Sequence, residues 1–487
     1  MPKASPTSMS ARNCPLGLRI RAVLLCMTLA SLLGSVETAG AAPPNVVLIL
    51  CDNLGYGDLG CYGSTLHRTP HIDRLATEGL RFSDCYAASG VCTASRAALL
   101  TGCYPRRVNM HVSDTGASVL RPVSSKGLNP DEITIAEVLK DRQYATAIFG
   151  KWHLGDQAEF LPTRQGFDYY FGIPYSDDMT PREGKPWPPL PLMENERVIE
   201  APVDRNLLTK RYTEAAIAYM TEHRNGPFFI YLAHAMPGST TAPFASEAFR
   251  GKSANGPWGD AVEEIDWSTG QILGAIKKLG IDENTLVIWT NDNGAPHLDP
   301  PQGSNAPLKG WGYDTSEGAM RVPLIARWPG RISAGRTCHE LCTLMDLMPT
   351  LSRLAGAEGP KDRIIDGKDI WPLLAGEPDA KSPHESLNYY FMGQLQAIRS
   401  GRWKLYLPLE MPLGPLAKES APRVSRLYDL IDDLGEAKNV AAENPAVVER
   451  LMNFANAARS DLGDGSQEGR NQRPAGSVPK PVPCVLR

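Results

Sequence analysis

The chain has 487 residues, with 50 Lys and Arg against 54 Asp and Glu and a formal net charge of -4. That length can bury a full core for one large domain and a smaller one, which excludes a peptide module. The near-neutral balance offers no electrostatic footprint for gripping nucleic acid, so small-molecule or glycan chemistry is expected.

Arg12, Arg19 and Arg21 precede an apolar run from Ala22 to Leu33, and Ala39-Gly40-Ala41 supplies small residues for cleavage. Residues 1–41 therefore read as a signal peptide, with export to the periplasm or the extracellular space. The run falls short of the roughly 20 residues a bilayer needs, and no later segment reads as a membrane span. Cys338 and Cys342 are close enough to suggest a helical pair or a local bridge. No CxxC pair or His-rich spacing supports zinc.

Asn45 to Leu50 is a short apolar run rich in β-branched residues, as expected of a strand buried on both faces, and it ends at Cys51-Asp52-Asn53. The same grammar recurs at Phe228 to Leu232, ending at His234, and at Leu286 to Trp289, ending at Asn291-Asp292-Asn293. Amphipathic stretches at Ile133 to Asp141 and Tyr212 to His223 alternate with these runs, which predicts an α/β fold with a largely parallel sheet. In such sheets ligands bind beyond the carboxyl ends of the strands, where these polar clusters lie.

The texture changes after about residue 375. Ser386 to Phe391 and Leu395 to Leu407 read as strands of a small antiparallel sheet, and Ala441 to Leu462 as a closing helix. The expected organisation is a catalytic domain over 42–375, a small C-terminal α+β domain over 376–462, and a poorly ordered tail over 463–487, rich in Gly, Pro, Gln and Ser.

Cys92-Thr93-Ala94-Ser95-Arg96, followed by Ala97-Ala98-Leu99-Leu100-Thr101-Gly102, carries the sharpest chemical signal. Read from the residues alone, it is either a buried free cysteine or a thiolate nucleophile favoured by a helix start and an arginine. Asp52, Asn53, Asp292 and Asn293 are hard oxygen donors suited to Ca2+ or Mg2+ and unsuited to zinc. Taken singly, Asp292-Asn293-Gly294 is also a turn and Asp52 a helix cap.

Together these stretches resemble the type I sulfatases of the alkaline-phosphatase-like superfamily, arylsulfatases and N-acetylgalactosamine-6-sulfatases among them. The Cys92 segment is similar to the family's signature, and Asp52-Asn53-Leu54-Gly55-Tyr56-Gly57-Asp58 to its opening metal segment. Gly150-Lys151-Trp152-His153-Leu154-Gly155 resembles its lysine-histidine motif, and Thr290-Asn291-Asp292-Asn293-Gly294 its second metal segment. Gly172-Ile173-Pro174-Tyr175-Ser176, Ala233-His234-Ala235-Met236-Pro237 and Arg426-Leu427-Tyr428-Asp429-Leu430 extend the likeness over roughly 44 to 455, in the family's order.

The resemblance implies a sulfuric ester hydrolase acting on a sulfated small molecule or glycan, with one Ca2+ held by Asp52, Asn53, Cys92, Asp292 and Asn293. It implies that a maturation enzyme oxidises Cys92 to formylglycine, whose hydrate attacks sulfur and then expels sulfate. Arg96 and Lys151 would hold the charge, His153 would serve as base and His234 would donate a proton to the leaving oxygen. Ser176 and Lys309 would contact substrate.

Three departures stand out: Ala94 where proline is usual, Asn53 where aspartate is usual, and Gly312 where relatives commonly place a substrate lysine, Lys309 being the nearest cationic substitute. A phosphate mono- or diester hydrolase of the same superfamily is one alternative, and a catalytically silent sulfated-glycan-binding protein is another.

Overall fold

The computed structural model describes residues 43–418 and 423–486. The expected signal peptide lies outside the described residues. Strands β1 (Asn45–Asp52), β2 (Leu80–Tyr86), β3 (Ala145–Lys151), β4 (Tyr169–Ile173), β5 (Leu192–Glu194), β6 (Arg197–Glu200), β7 (Phe228–Pro237), β8 (Thr285–Asn291), β9 (Arg321–Arg327), β10 (Arg336–Cys338) and β11 (Cys342–Thr343) form one sheet. Its order is β10-β2-β9-β8-β1-β7-β3-β4-β5-β6, with β11 beside β2. The centre, β8-β1-β7-β3-β4, is parallel, while β9 runs antiparallel to both β8 and β2.

β1 is buried at every residue, because strands pair with it on both sides and helices cover both faces. Val46, Leu48 and Leu50 enter the core layer shared with Leu99 and Leu100 of helix α1 (Cys92–Thr101). Val47, Ile49 and Cys51 enter the layer shared with Tyr212 and Ile265, from the helices Leu208–Glu222 and Gly256–Lys278. The period-2 alternation of a strand thus assigns each residue to one of two helical layers.

The C-terminal part folds as a four-stranded antiparallel sheet, Leu387–Phe391, Gln394–Ser400, Trp403–Tyr406 and Arg426–Asp429. Helix Pro445–Leu462 covers it, with Leu451 and Ala455 in the same core as Ile398 and Leu405. The single run expected over Leu395 to Leu407 is two strands, since Gly401 turns the chain at φ +57, a conformation glycine adopts without steric cost.

The tail after Gly463 is more tied down than its composition implied. Gly476–Ser477 pairs with Lys126–Gly127, Arg473 bonds both oxygens of Glu132 at 2.7 and 2.8 Å, and Val482 N donates to Gln157 Oε1 at 2.8 Å. Backbone pairing and an ion pair hold it where apolar burial alone would not. Cys338 and Cys342 also depart from expectation: they lie on separate strands, and the register partner of Cys342 is Cys85, all three being free thiols.

Lys404 ties the small sheet to the large domain. Its fully buried ammonium lies 3.0 Å from Glu317, 2.9 Å from Glu436 and 2.9 Å from the Thr315 carbonyl. Burial pushes the Glu317 carboxyl up, but Lys404, Arg399 and Arg321 outweigh it and hold the group at about 2, against a usual 4.5. A depressed carboxylate contributes stability that is present above its unfolded pKa and lost as pH falls through the folded one. Unfolding titrations should therefore show stability draining between about pH 4.5 and 2. Lys404→Met, which strands two buried carboxylates, should cost about 3–5 kcal/mol; an unchanged midpoint would show that the cluster does not tie the sheets together.

Candidate active site

Strand ends and one helix start converge on the site. Asp52 closes β1, Lys151 closes β3, Asp292 follows β8, and Cys92 opens α1. A register shift between Leu50 and Asp52 against β7 lifts Asp52 out of the regular ladder, as bulges beside functional sites do.

Each residue of the Cys92 segment has a separate task. Thr93 Oγ1 accepts from Leu120 N at 3.1 Å, pinning a loop over the helix, and Ser95 Oγ donates to the Ser89 carbonyl at 2.8 Å. Arg96 is the clamp: its Nε and Nη2 lie 3.0 and 2.8 Å from Asp292 Oδ2, Nη2 lies 3.0 Å from Asp52 Oδ1, and Nη1 donates to the Lys151 carbonyl at 2.9 Å. Lys151 Nζ donates to Asp52 Oδ1 at 2.6 Å and to Ser176 Oγ at 3.1 Å. Ala94 is buried at 1% exposure, and alanine keeps the helix intact there.

Ligand atoms of Cys92, Asp52 and Asp292 all lie within 4.8 Å of one another. Asn53 N donates to Asp292 Oδ1 at 3.0 Å, Asn293 Nδ2 donates to Asn53 Oδ1 at 2.5 Å, and Cys92 Sγ sits 3.6 Å from Asn53 Oδ1. Asn53 is left-handed, at φ +59, a conformation asparagine tolerates better than most side chains.

The charges respond to this crowding. Burial pushes the Asp52 carboxyl up, but Lys151 and Arg96 bring it below the usual carboxylate range. Burial and Asp52 push Asp292 up to about 6. Burial opposes charge on Arg96 and Lys151, and the two carboxylates more than restore it. The Cys92 thiol is pushed well up by burial and then by Asp52, so it is not a poised thiolate.

These residues fit a hard divalent cation. Two carboxylates crowd a dry pocket, the remaining donors are amide oxygens, and Asn293 Oδ1 is buried with no hydrogen-bond partner among the described residues. Such a donor set suits oxygen-seeking ions.

His153, at φ +62, donates from Nε2 to the Leu120 carbonyl at 3.0 Å, which makes Nε2 the protonated nitrogen and leaves Nδ1 as a buried lone pair. Burial and then Lys151 hold its pKa well below the ordinary value. Ser176, expected to contact substrate, accepts from Lys151 Nζ.

Two expected residues are engaged with other groups. His234 lies on β7, where Nε2 meets Ser268 Oγ at 3.2 Å. Burial alone lowers its pKa to about 3. The hydrogen bond commits His234 Nε2 to Ser268. Accordingly, His234→Ala should cost about 1–3 kcal/mol of stability and lower the rates on sugar and aryl sulfates by equal factors; a selective loss on sugar sulfates would restore the acid role. Lys309 Nζ reaches the Glu436 carbonyl at 3.5 Å and stands 5.7 Å from the centre of the Tyr428 ring.

Sequence reasoning missed three residues that do lie there. Tyr313 Oη and Ser239 Oγ are 2.6 Å apart, and Asn53 Nδ2 donates to Ser239 Oγ at 2.7 Å. Both carboxylate oxygens of Asp177 are buried without partners among the described residues, and burial, then Asp178 and Asp52, push that group up to about 8. Its place beside Ser176 was the one available signal for Asp177.

Residues 44–357 match the Sulfatase family, and residues 309–456 match the C-terminal region of N-sulphoglucosamine sulphohydrolase. The chain belongs to the sulfatase family. It is 38% identical to human (Homo sapiens) arylsulfatase A over 92% of this chain and 96% of that one, and 39% identical to rat (Rattus norvegicus) N-acetylgalactosamine-6-sulfatase over 80% and 76%. A solved structure from work on the metabolism of multiple glycosaminoglycans by Bacteroides thetaiotaomicron superposes with a TM-score of 0.76 at 27% identity, covering 86% of this chain and 100% of that one. The PsFucS1 sulfatase from Pseudoalteromonas sp. superposes with a TM-score of 0.76 at 26% identity, covering 91% and 94%. As a sulfatase, the protein is a sulfuric ester hydrolase with a Cys, Asp, Asp cluster of the kind that holds a catalytic metal. Among the described residues, no helix is long and apolar enough to cross a membrane.

Proposed function

We propose that this sulfatase is exported and hydrolyses sulfate monoesters of a carbohydrate, using Ca2+ and a formylglycine that a maturation enzyme makes from Cys92. The observation that carries this reading is the Cys92 side chain itself, a thiol pushed well up by burial yet set against two carboxylates and beside Arg96 and Lys151. A cysteine meant to attack as thiolate needs a depressed pKa; one meant for conversion needs only position. The relatives named for N-acetylgalactosamine and the solved structure from glycosaminoglycan metabolism support a carbohydrate substrate.

Asp52, Asn53, Asp292 and Asn293 would hold the cation, which supplies Lewis acidity toward the sulfate oxygens. A hydrated formylglycine at position 92 supplies two hydroxyls, one to attack sulfur and one to release sulfate from the enzyme's side. Arg96 locks both metal-binding carboxylates in place, and Lys151, steadied by Ser176, faces the reacting hydroxyl with positive charge. His153 has the free Nδ1 lone pair to take the proton of that hydroxyl, since Nε2 is committed to the Leu120 carbonyl.

The test is sulfate release from defined sulfated mono- and oligosaccharides by protein co-expressed with a maturation enzyme. Release from at least one carbohydrate ester is expected. Turnover of aryl sulfates alone would remove the carbohydrate assignment, faster cleavage of phosphate esters would favour the phosphohydrolase, and glycan binding without release would favour the silent binding protein.

A further inference from the structure

The proposed reaction leaves one charge unaddressed. When an oxygen at position 92 bonds to sulfur, the ester S–O bond breaks on the opposite side and its electron pair stays on the departing oxygen. His234 Nε2 is engaged with Ser268 Oγ and Lys309 Nζ with the Glu436 carbonyl.

In-line attack from Cys92, which is 2% exposed, points the departing oxygen outward. Tyr313 and Ser239 are hydrogen-bonded to the cluster through Asn53. Both residues are partly exposed while Asp52, Asn53, Arg96 and Lys151 beneath them are fully buried. Tyr313 Oη lies 3.4 Å from Asn53 Nδ2, and the Oδ1 of the same amide lies 3.6 Å from Cys92 Sγ, so one amide group separates the phenol from position 92.

The backbone explains why a tyrosine is there. A Cβ on Gly312 would lie 2.4 Å from the Gly294 carbonyl oxygen, so position 312 has no room for any side chain. Tyr313 follows at φ +71, a costly conformation for an aromatic residue, and Tyr313 N is anchored to the Gly90 carbonyl at 2.9 Å, two residues before Cys92. Strain of this kind persists where surrounding structure over-determines it, often at active sites.

We propose, resting on the sulfatase reading above, that the Tyr313 hydroxyl is a catalytic hydrogen-bond donor to the leaving oxygen, positioned by Ser239 and Asn53. The donors run in one direction. Asn53 Nδ2 donates to Ser239 Oγ at 2.7 Å, and Ser239 Oγ and Tyr313 Oη are 2.6 Å apart; in the proposed relay the serine gives its proton to the phenol oxygen, which leaves the phenolic proton for the substrate. Donors chained this way strengthen one another. Asn53 is then more than a weaker aspartate, because a carboxylate there has no N–H with which to begin the chain. Tyr313 keeps its proton throughout, and water at the mouth protonates the departed alkoxide.

The experiment measures kcat/KM for the wild type, Tyr313→Phe and Ser239→Ala on aryl sulfates of graded leaving-group pKa and on a sugar sulfate. Inorganic sulfate inhibition and the melting midpoint are measured alongside. Tyr313→Phe should lose about 10²-fold on the sugar sulfate, within the range for removing one transition-state donor, and at most about threefold on the most activated phenol, whose oxygen carries little charge to stabilise. Rates should therefore depend more steeply on leaving-group pKa, Ser239→Ala should show the same tilt at smaller amplitude, and inhibition by sulfate should be unchanged. A loss uniform across the series, or none, overturns the donor role. A wild type inactive on every sulfate ester would instead overturn the sulfatase reading, and the donor role with it.

Discussion

Cys92→Ala is expected to abolish sulfate-ester hydrolysis, a fall of about 10⁴-fold or more of the kind seen when a nucleophile is removed. Stability should change by only about 1 kcal/mol, since the lost atom is a single sulfur in a helix that alanine favours. Cys92→Ser should be equally slow in turnover: a serine hydroxyl can take the sulfuryl group, but it carries no second oxygen to expel sulfate, and the resulting ester is stable. Mass spectrometry of the wild-type peptide containing Cys92 should show an aldehyde in place of the thiol. Full activity in protein whose Cys92 remains entirely a thiol would overturn the mechanism, and the buried, protonated state of that thiol makes such an outcome chemically demanding.

Asp292→Asn is expected to remove both metal and turnover. Asp292 carries one of the two carboxylates of the cluster and orients Asn53 N at 3.0 Å, while its amide replacement keeps the size and loses the charge. Calorimetry should show calcium binding by the wild type and none by the variant. The wild type should gain about 2.7 kcal/mol of stability at a calcium concentration 100 times Kd, and the variant should gain nothing. Zn2+ should not substitute for Ca2+ in the wild type, because the described donors around the cluster are chiefly oxygen. Full activity after thorough chelation, or calcium stabilisation that survives in Asp292→Asn, would disprove the assignment.

Much of the architecture was legible because it is local. The apolar runs at Asn45, Phe228 and Leu286 are central parallel strands, as their two-faced burial required, and the polar residues beyond them gather at one end of the sheet. Asp52, Asn53, Asp292 and Asn293 were readable as polar residues beyond apolar strands, while Cys92, Arg96, Lys151 and His153 were readable through their likeness to family motifs.

What was not legible depends on contacts across the fold and on long loops. His234 lies within a few residues of the site along the chain, but only the fold reveals that its Nε2 meets Ser268 of the helix Gly256–Lys278. Lys309 and Tyr313 are four residues apart, and only the fold reveals that Gly310, at φ +84, lies between a lysine bound to the small sheet and a tyrosine above Cys92. Ser239 carries no motif; it is placed because Gly238 N bonds the Asp52 carbonyl at 3.0 Å. The sequence by itself determined the strands, the nucleophile position and the oxygen-rich metal donors, because residue type and period act over a few residues. The tertiary structure alone decided which groups gather around the Cys92 cluster, because that depends on a backbone carbonyl filling the space beside Gly312 and on contacts between segments hundreds of residues apart.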